Sequence, residues 1–165
     1  MGQRFYGGPS VEELHERYAK EGRTDAAAPV RAVREVRIEA PPARVWAVLS
    51  DPAGWHAIDP AIHDVRLAAP VGVDARFTWA NGKAKIASRF AVVDREREIT
   101  WTGVSMGARV VHRHLLTPMD GGEATLLRTE ESMAGWLLGL LFSAAKLETV
   151  LADWLAAVKS AAERP

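Results

Sequence analysis

The chain has 165 residues, 48% of them hydrophobic, with Lys plus Arg and Asp plus Glu balanced at 21 each and no cysteine. That is one ordinary domain's worth of chain, apolar enough to bury a core and line a cavity. The charge balance removes any global field that would draw the protein to nucleic acid or an anionic membrane, and the lack of cysteine excludes disulfides, thiolate catalysis and Cys-ligated zinc or iron–sulfur sites.

The N-terminal stretch MGQRFYGGPSVEELHERY has no apolar core of the secretory kind. The longest uncharged apolar run, residues 133–145, is too short to span a bilayer, so a cytoplasmic protein without stable membrane insertion is expected. Residues 1–29 read as a leader. Ser10 and Glu13 have capping-box spacing, and Val11, Leu14 and Tyr18 share one helical face. That helix either packs on its own domain or serves as a docking arm for a second subunit, which would make a homodimer. Residues 21–29, polar and alanine-rich, read as a linker to a domain over 30–165.

From Arg34 the pattern alternates, with Val36, Ile38 and Ala40 on one face and Glu35, Arg37 and Glu39 on the other, as in a half-buried strand. Pro41-Pro42 ends it and opens a short helix carrying Val45, Trp46 and Leu49 on one side. Asp51-Pro52 stops that helix, and a second short one carries Trp55. Six strands follow near 62–68, 75–80, 83–93, 98–104, 109–118 and 123–132, with Asn81-Gly82 and Asp120-Gly121-Gly122 as hairpin turns. Short connections make them an antiparallel meander that the first strand joins at one edge. Residues 135–162 predict one helix of about seven turns. Its stripe is Leu137, Leu140, Ala144, Leu147, Leu151, Trp154 and Val158, and its first half, with Trp136, Leu138, Leu141 and Phe142, is apolar nearly all round and must be covered by something.

This order of elements, together with IEAPPARVWAVLSDPAGW, FTWANGKAKIASRF followed by REITWTG, and HRHLLTPMDGGEATLLRTEESMAG, resembles the START, birch-pollen-allergen and polyketide-cyclase-like (SRPBCC) superfamily from about Arg34 to the C-terminus. The resemblance implies an α+β helix-grip fold: a curved seven-stranded antiparallel sheet wrapped around a long C-terminal helix, with two short helices after the first strand. It also implies a pocket for a lipid, polyketide or aromatic type of ligand. Relatives of this kind bind hydrophobic molecules, catalyse cyclisation, dehydration or hydrolysis, or regulate partner proteins, and they share no single catalytic motif to carry over.

Strand parity assigns the inward set as Phe77 and Trp79, then Ile86, Ser88 and Phe90, then Ile99 and Trp101, then His112, His114 and Leu116, then Leu127, Thr129 and Glu131. A bulge near Arg109 or Glu123 would invert part of it. The opposite parity on the last strand, Leu126, Arg128 and Glu130, puts charges against the core unless they pair. The expected ligand contacts are Phe77, Trp79, Ile86, Ser88, Phe90, Trp101, His112, His114, Thr129 and Glu131, closed by Leu137 and Leu141 from the last helix. His112 and Glu131 are the acid–base candidates, and burial of Glu131 would raise its pKa. Two imidazoles and a carboxylate could also ligate a metal, but no third ligand of diagnostic spacing appears and no nucleotide motif is present, so neither metal nor cofactor is expected. Three readings stay open: a binding protein or carrier for a small hydrophobic molecule, a cofactor-independent cyclase or dehydratase, and a protein-interaction module.

Overall fold

The computed structural model describes residues 6–136 and 138–165. Seven strands, β1 (Val30–Ile38), β2 (Ile62–Leu67), β3 (Arg76–Asn81), β4 (Ala84–Asp94), β5 (Glu98–Ser105), β6 (Ala108–Met119) and β7 (Ala124–Ala134), form one sheet in the order β1-β7-β6-β5-β4-β3-β2, antiparallel throughout. The meander and the edge-joining first strand are therefore as the connection lengths require. Turn chemistry sets the register. Gly82, at φ 57°, takes the first central position of the β3–β4 hairpin, and Met106 and Gly107, both at positive φ, close β5 to β6.

Helix α1 (Val11–Leu14), continued by a π turn over His15–Ala19, precedes the sheet, and α2 (Pro42–Leu49) with a 3-10 turn over Pro52–Ala57 follows β1. Pro42 begins α2 where a missing N–H costs nothing. The end of the chain departs from the expected single helix. It runs as α3 (Leu138–Leu141) and α4 (Ala144–Glu163), separated at Ser143, whose extended backbone and hydroxyl, accepting from the Lys146 N–H at 3.1 Å, cap a new helix. A serine three residues before a helical N–H is a start signal that outranks the apolar periodicity running across it.

The concave face of the sheet grips α4 through two clusters. At one end Trp55 sits at the centre of an aromatic plug, with ring centroids 5.3–6.1 Å from those of Phe77, Trp79, Trp101 and Trp154, and Phe77 stacks on Phe90 at 4.5 Å. At the other end Val30, Ala32, Leu147 and Leu151 pack β1 against α4. A bulge at Ala91, between the pairs Phe90–Trp101 and Val92–Thr100, turns β4 by one residue. Ile86, Ser88 and Phe90 therefore share the inward face before the bulge, while Ala91 faces out.

The leader lies across the convex face of its own sheet, where Leu14, Ala19, Ala91 and Val111 form a separate buried cluster. Buried His15 bonds Thr102 Oγ1 through Nδ1 and Asp74 Oδ1 through Nε2, both at 2.8 Å, and Asp74 also pairs with Lys20 and Arg89. The stretch expected to be a linker is packed as well: Asp25 is buried and its N–H donates to Ser132 Oγ at 3.0 Å. Of the apolar face Val11, Leu14 and Tyr18, Leu14 is thus buried from within and Tyr18 partly so, while Val11 stays exposed. Removing the Leu14 side chain with Leu14→Ala should cost about 2–4 kcal/mol, read as a lower urea midpoint at unchanged slope; no change would mean that the leader is not part of the cooperative unit.

Candidate functional site

Past the aromatic plug, between the concave face of β3–β7 and the start of α4, the grip is open. A cavity of about 410 Å³ is walled by Trp79, Ile86, Ser88, Trp101, Gly103, Val110 and Met133 from the sheet and by Phe142, Lys146, Leu147 and Val150 from the helical side. Its volume sits in the lower part of the range for small-molecule sites, about 300–1,000 Å³. Small residues keep it open. A Cβ on Gly103 would meet Ser88 Oγ at 3.1 Å and Ile86 Cγ2 at 3.4 Å. A larger recess of about 500 Å³ beside Asp64, Arg66, Lys85 and Met106 is a surface groove rather than a chamber.

His112 and Glu131 carry the polar end of the chamber. Both face inward, as the parity predicted; the β6–β7 register sets them directly opposite, and His112 Nδ1 is hydrogen-bonded to Glu131 Oε2. The other ring nitrogen, Nε2, lies 3.2 Å from His114 Nε2, which accepts a 2.8 Å hydrogen bond from Trp154 Nε1. An indole N–H only donates, so His114 Nε2 is unprotonated and its proton sits on Nδ1. His112 thus lies between His114 Nε2 on one side and the Glu131 carboxylate on the other. Trp101 stacks on the His112 ring at 4.6 Å and 14°. Both nitrogens of His112 are occupied, and the polar atom left for a ligand is the second carboxyl oxygen of Glu131.

His114 itself is fully buried, and desolvation followed by repulsion from His112 holds its pKa well below the ordinary histidine value. Of the expected contacts, Trp79, Ile86, Ser88, Trp101, His112 and Glu131 line the chamber. Phe77 and Phe90 belong to the plug, and His114 and Thr129 are buried outside the lining. Leu141 is 76% exposed, because α3 turns it to solvent once the helix breaks. Leu137 lies outside the described residues. The reading missed Gly103, Met133, Lys146 and Val150. All four had a signal: Gly103 and Met133 continue the inward parity of Trp101 and Glu131, and Lys146 and Val150 lie one turn apart on the last helix beside Leu147.

On the convex face Arg113 bonds Glu98 and Glu130, Glu130 also takes Arg128, and Arg128 reaches Glu35. The outward charges of β7 therefore pair with one another, and Glu131 is the carboxylate that turns inward. Among the described residues one set, His15, Glu16 and Asp74, brings three ligand atoms within 4.8 Å. Its charge is already matched: Lys20 pairs with both carboxylates and Arg89 with Asp74, whose pKa is held down to about 2, first by the His15 hydrogen bond and then by that of Lys20. The set is an ion-pair network.

A curved antiparallel sheet closed by a C-terminal helix, with an apolar chamber between them, defines a helix-grip protein. The chain belongs to the polyketide cyclase / dehydrase and lipid transport family, whose model matches residues 29–163. No curated protein matches it in sequence. Among solved structures, hypothetical protein jhp0584 from Helicobacter pylori is similar with a TM-score of 0.75 at 14% identity, covering 84% of this chain and 91% of that one. Norcoclaurine synthase from Thalictrum flavum in complex with dopamine and hydroxybenzaldehyde has a TM-score of 0.60 at 14% identity, covering 79% and 84%. DynU16, a protein in the dynemicin biosynthetic locus, has a TM-score of 0.62 at 19% identity, covering 79% of this chain and 46% of that one. At these identities the likeness is one of fold. No helix among the described residues is long and apolar enough to cross a membrane.

Buried neutral histidines make stability depend on pH. Burial lowers the pKa of His114 and of His15 below the ordinary value of 6.5. Above that value both folded and unfolded chains are neutral there; below it the unfolded chain takes up protons that the folded chain refuses. Stability should therefore fall as pH drops below about 6.5, by at most about 1.4 kcal/mol per pH unit for each histidine. Urea midpoints from about pH 7.5 to about pH 5 test this. The slope should be shallower in His15→Gln, and a flat profile in the parent protein would contradict it.

Proposed function

We propose that the protein binds a small, largely apolar and planar molecule in the chamber between the sheet and the start of α4. The observation that carries this reading is the composition of the wall: two indoles and several aliphatic side chains with a few polar groups among them, the Glu131–His112 pair at one end and Lys146 on the helical side. Trp79 is anchored by its Nε1–H to Ser88 Oγ at 3.1 Å, which fixes a flat aromatic wall at one side of the space. Glu131 offers an acceptor oxygen, so the ligand carries a hydroxyl, phenol or N–H donor at that end. The description of norcoclaurine synthase with dopamine and hydroxybenzaldehyde supports the capacity of this fold for small hydroxylated aromatics.

The bonded Glu131–His112 pair favours a second reading, in which the same chamber catalyses a cyclisation or dehydration. Glu131 would take a proton from a carbon beside a carbonyl as the new carbon–carbon bond or double bond forms, and the pair would return that proton to the resulting alkoxide or to the departing hydroxyl, which leaves as water, with no cofactor in the step. Glu131→Gln separates the two: retained binding of a phenolic probe with loss of turnover on a reactive polyketide mimic would mark the enzyme, whereas turnover surviving the change would dismiss it.

Filling the chamber tests the shared premise. Ile86→Trp should weaken binding of the fluorescent apolar probe phenylnaphthylamine at least about tenfold while the circular dichroism spectrum is retained, at a cost of about 1–3 kcal/mol from overpacking. Equal binding by the folded variant would place the probe elsewhere and sink the proposal.

A further inference from the structure

The chamber has a cation in its wall with no carboxylate in contact. His114 is neutral, because its Nε2 accepts from Trp154 and its burial opposes protonation. His112 and Glu131 are bonded to each other at the polar end of the chamber. The remaining ionisable group of the lining is Lys146, in the first turn of α4. Its ammonium lies 5.0 Å from the centroid of the Phe142 ring, and among the described residues no carboxylate comes within 4.0 Å of it. Glu148, Lys159 and Glu163 of the same helix, by contrast, are paired: Glu148 with Arg34 at 2.7 Å and Lys159 with Glu163 at 2.6 Å. A lysine over an aromatic ring, in the lining of an apolar space, presents an ammonium with no carboxylate beside it, and the N-terminal dipole of α4 adds to its field.

We infer that the ligand is an organic acid: an apolar body bearing a carboxylate, sulfonate or phenolate that Lys146 holds at the mouth, with a hydrogen-bond donor at the far end for Glu131. This rests on the binding reading above and narrows its ligand class. The two ends are chemically distinct, so the ligand enters in one orientation, donor first. A neutral lipid or an organic cation would leave the ammonium uncompensated.

The test compares two probes of nearly the same shape, anilinonaphthalene sulfonate and the uncharged phenylnaphthylamine, titrated into the full-length protein and into Lys146→Met, Lys146→Arg and Lys146→Glu. The parent protein should prefer the sulfonate. Lys146→Met should weaken the sulfonate about tenfold and the neutral probe less than about twofold, Lys146→Arg should keep the preference, and Lys146→Glu should reverse it. Added salt should weaken only the sulfonate, and only where residue 146 is basic. Equal loss of both probes in Lys146→Met would show that the lysine contributes its apolar stem alone and would overturn the inference, as would a parent protein without preference. If phenylnaphthylamine binding is absent or indifferent to Ile86→Trp, the chamber itself is not the binding site and both readings fall together.

Discussion

The hydrogen bond from Trp154 Nε1 to His114 Nε2, 2.8 Å long and fully buried, is the constraint from which the site follows. It ties the middle of α4 to the middle of β6, so the long helix can neither slide nor rotate without leaving a polar group unpaired in the core, at a cost of about 1–3 kcal/mol. Its direction matters as much as its strength. An indole cannot accept, so His114 must receive, and His112 lies between that nitrogen and the Glu131 carboxylate. The chemistry offered to a ligand is thus decided two residues away from any ligand.

The chamber exists because the inward face of the sheet is graded along its length. Where Trp55, Phe77, Phe90, Trp101 and Trp154 converge, large rings fill the space between sheet and helix. Towards the hairpin tips the inward positions shrink to Ala84, Ser88 and Gly103, and the same curvature that is filled at one end encloses a void at the other. Packing to the density of a protein interior on one side and leaving room on the other is a matter of side-chain volume at fixed backbone separation.

Much of this was legible in the chain. Alternation and turn residues defined all six strands of the meander, and parity put His112 and Glu131 on one face and sent Glu130 to the other. Three features escaped for identifiable reasons. Parity says which face a residue takes but not how deep along the grip it lies, so Phe77 and Phe90 were grouped with the wall rather than the plug. The break in the last helix turned on one capping serine inside a strongly periodic run. The seat of His15 beside Asp74 joins residues 59 positions apart, a pairing no local pattern encodes.

The break at Ser143 also divides the last thirty or so residues into two energetically separate pieces. Because α4 starts on its own cap, its hydrogen-bond ladder owes nothing to α3, whose backbone is held by Leu138 N–H to Gly135 O at 3.1 Å and Phe142 N–H to Leu138 O at 2.8 Å. A disturbance in 138–141 therefore stays within one turn of helix, and the traffic of a molecule through the rim makes no demand on the tryptophan–histidine anchor beneath it. Permanence and access reside in different stretches of one apolar segment, and a single hydroxyl draws the border between them.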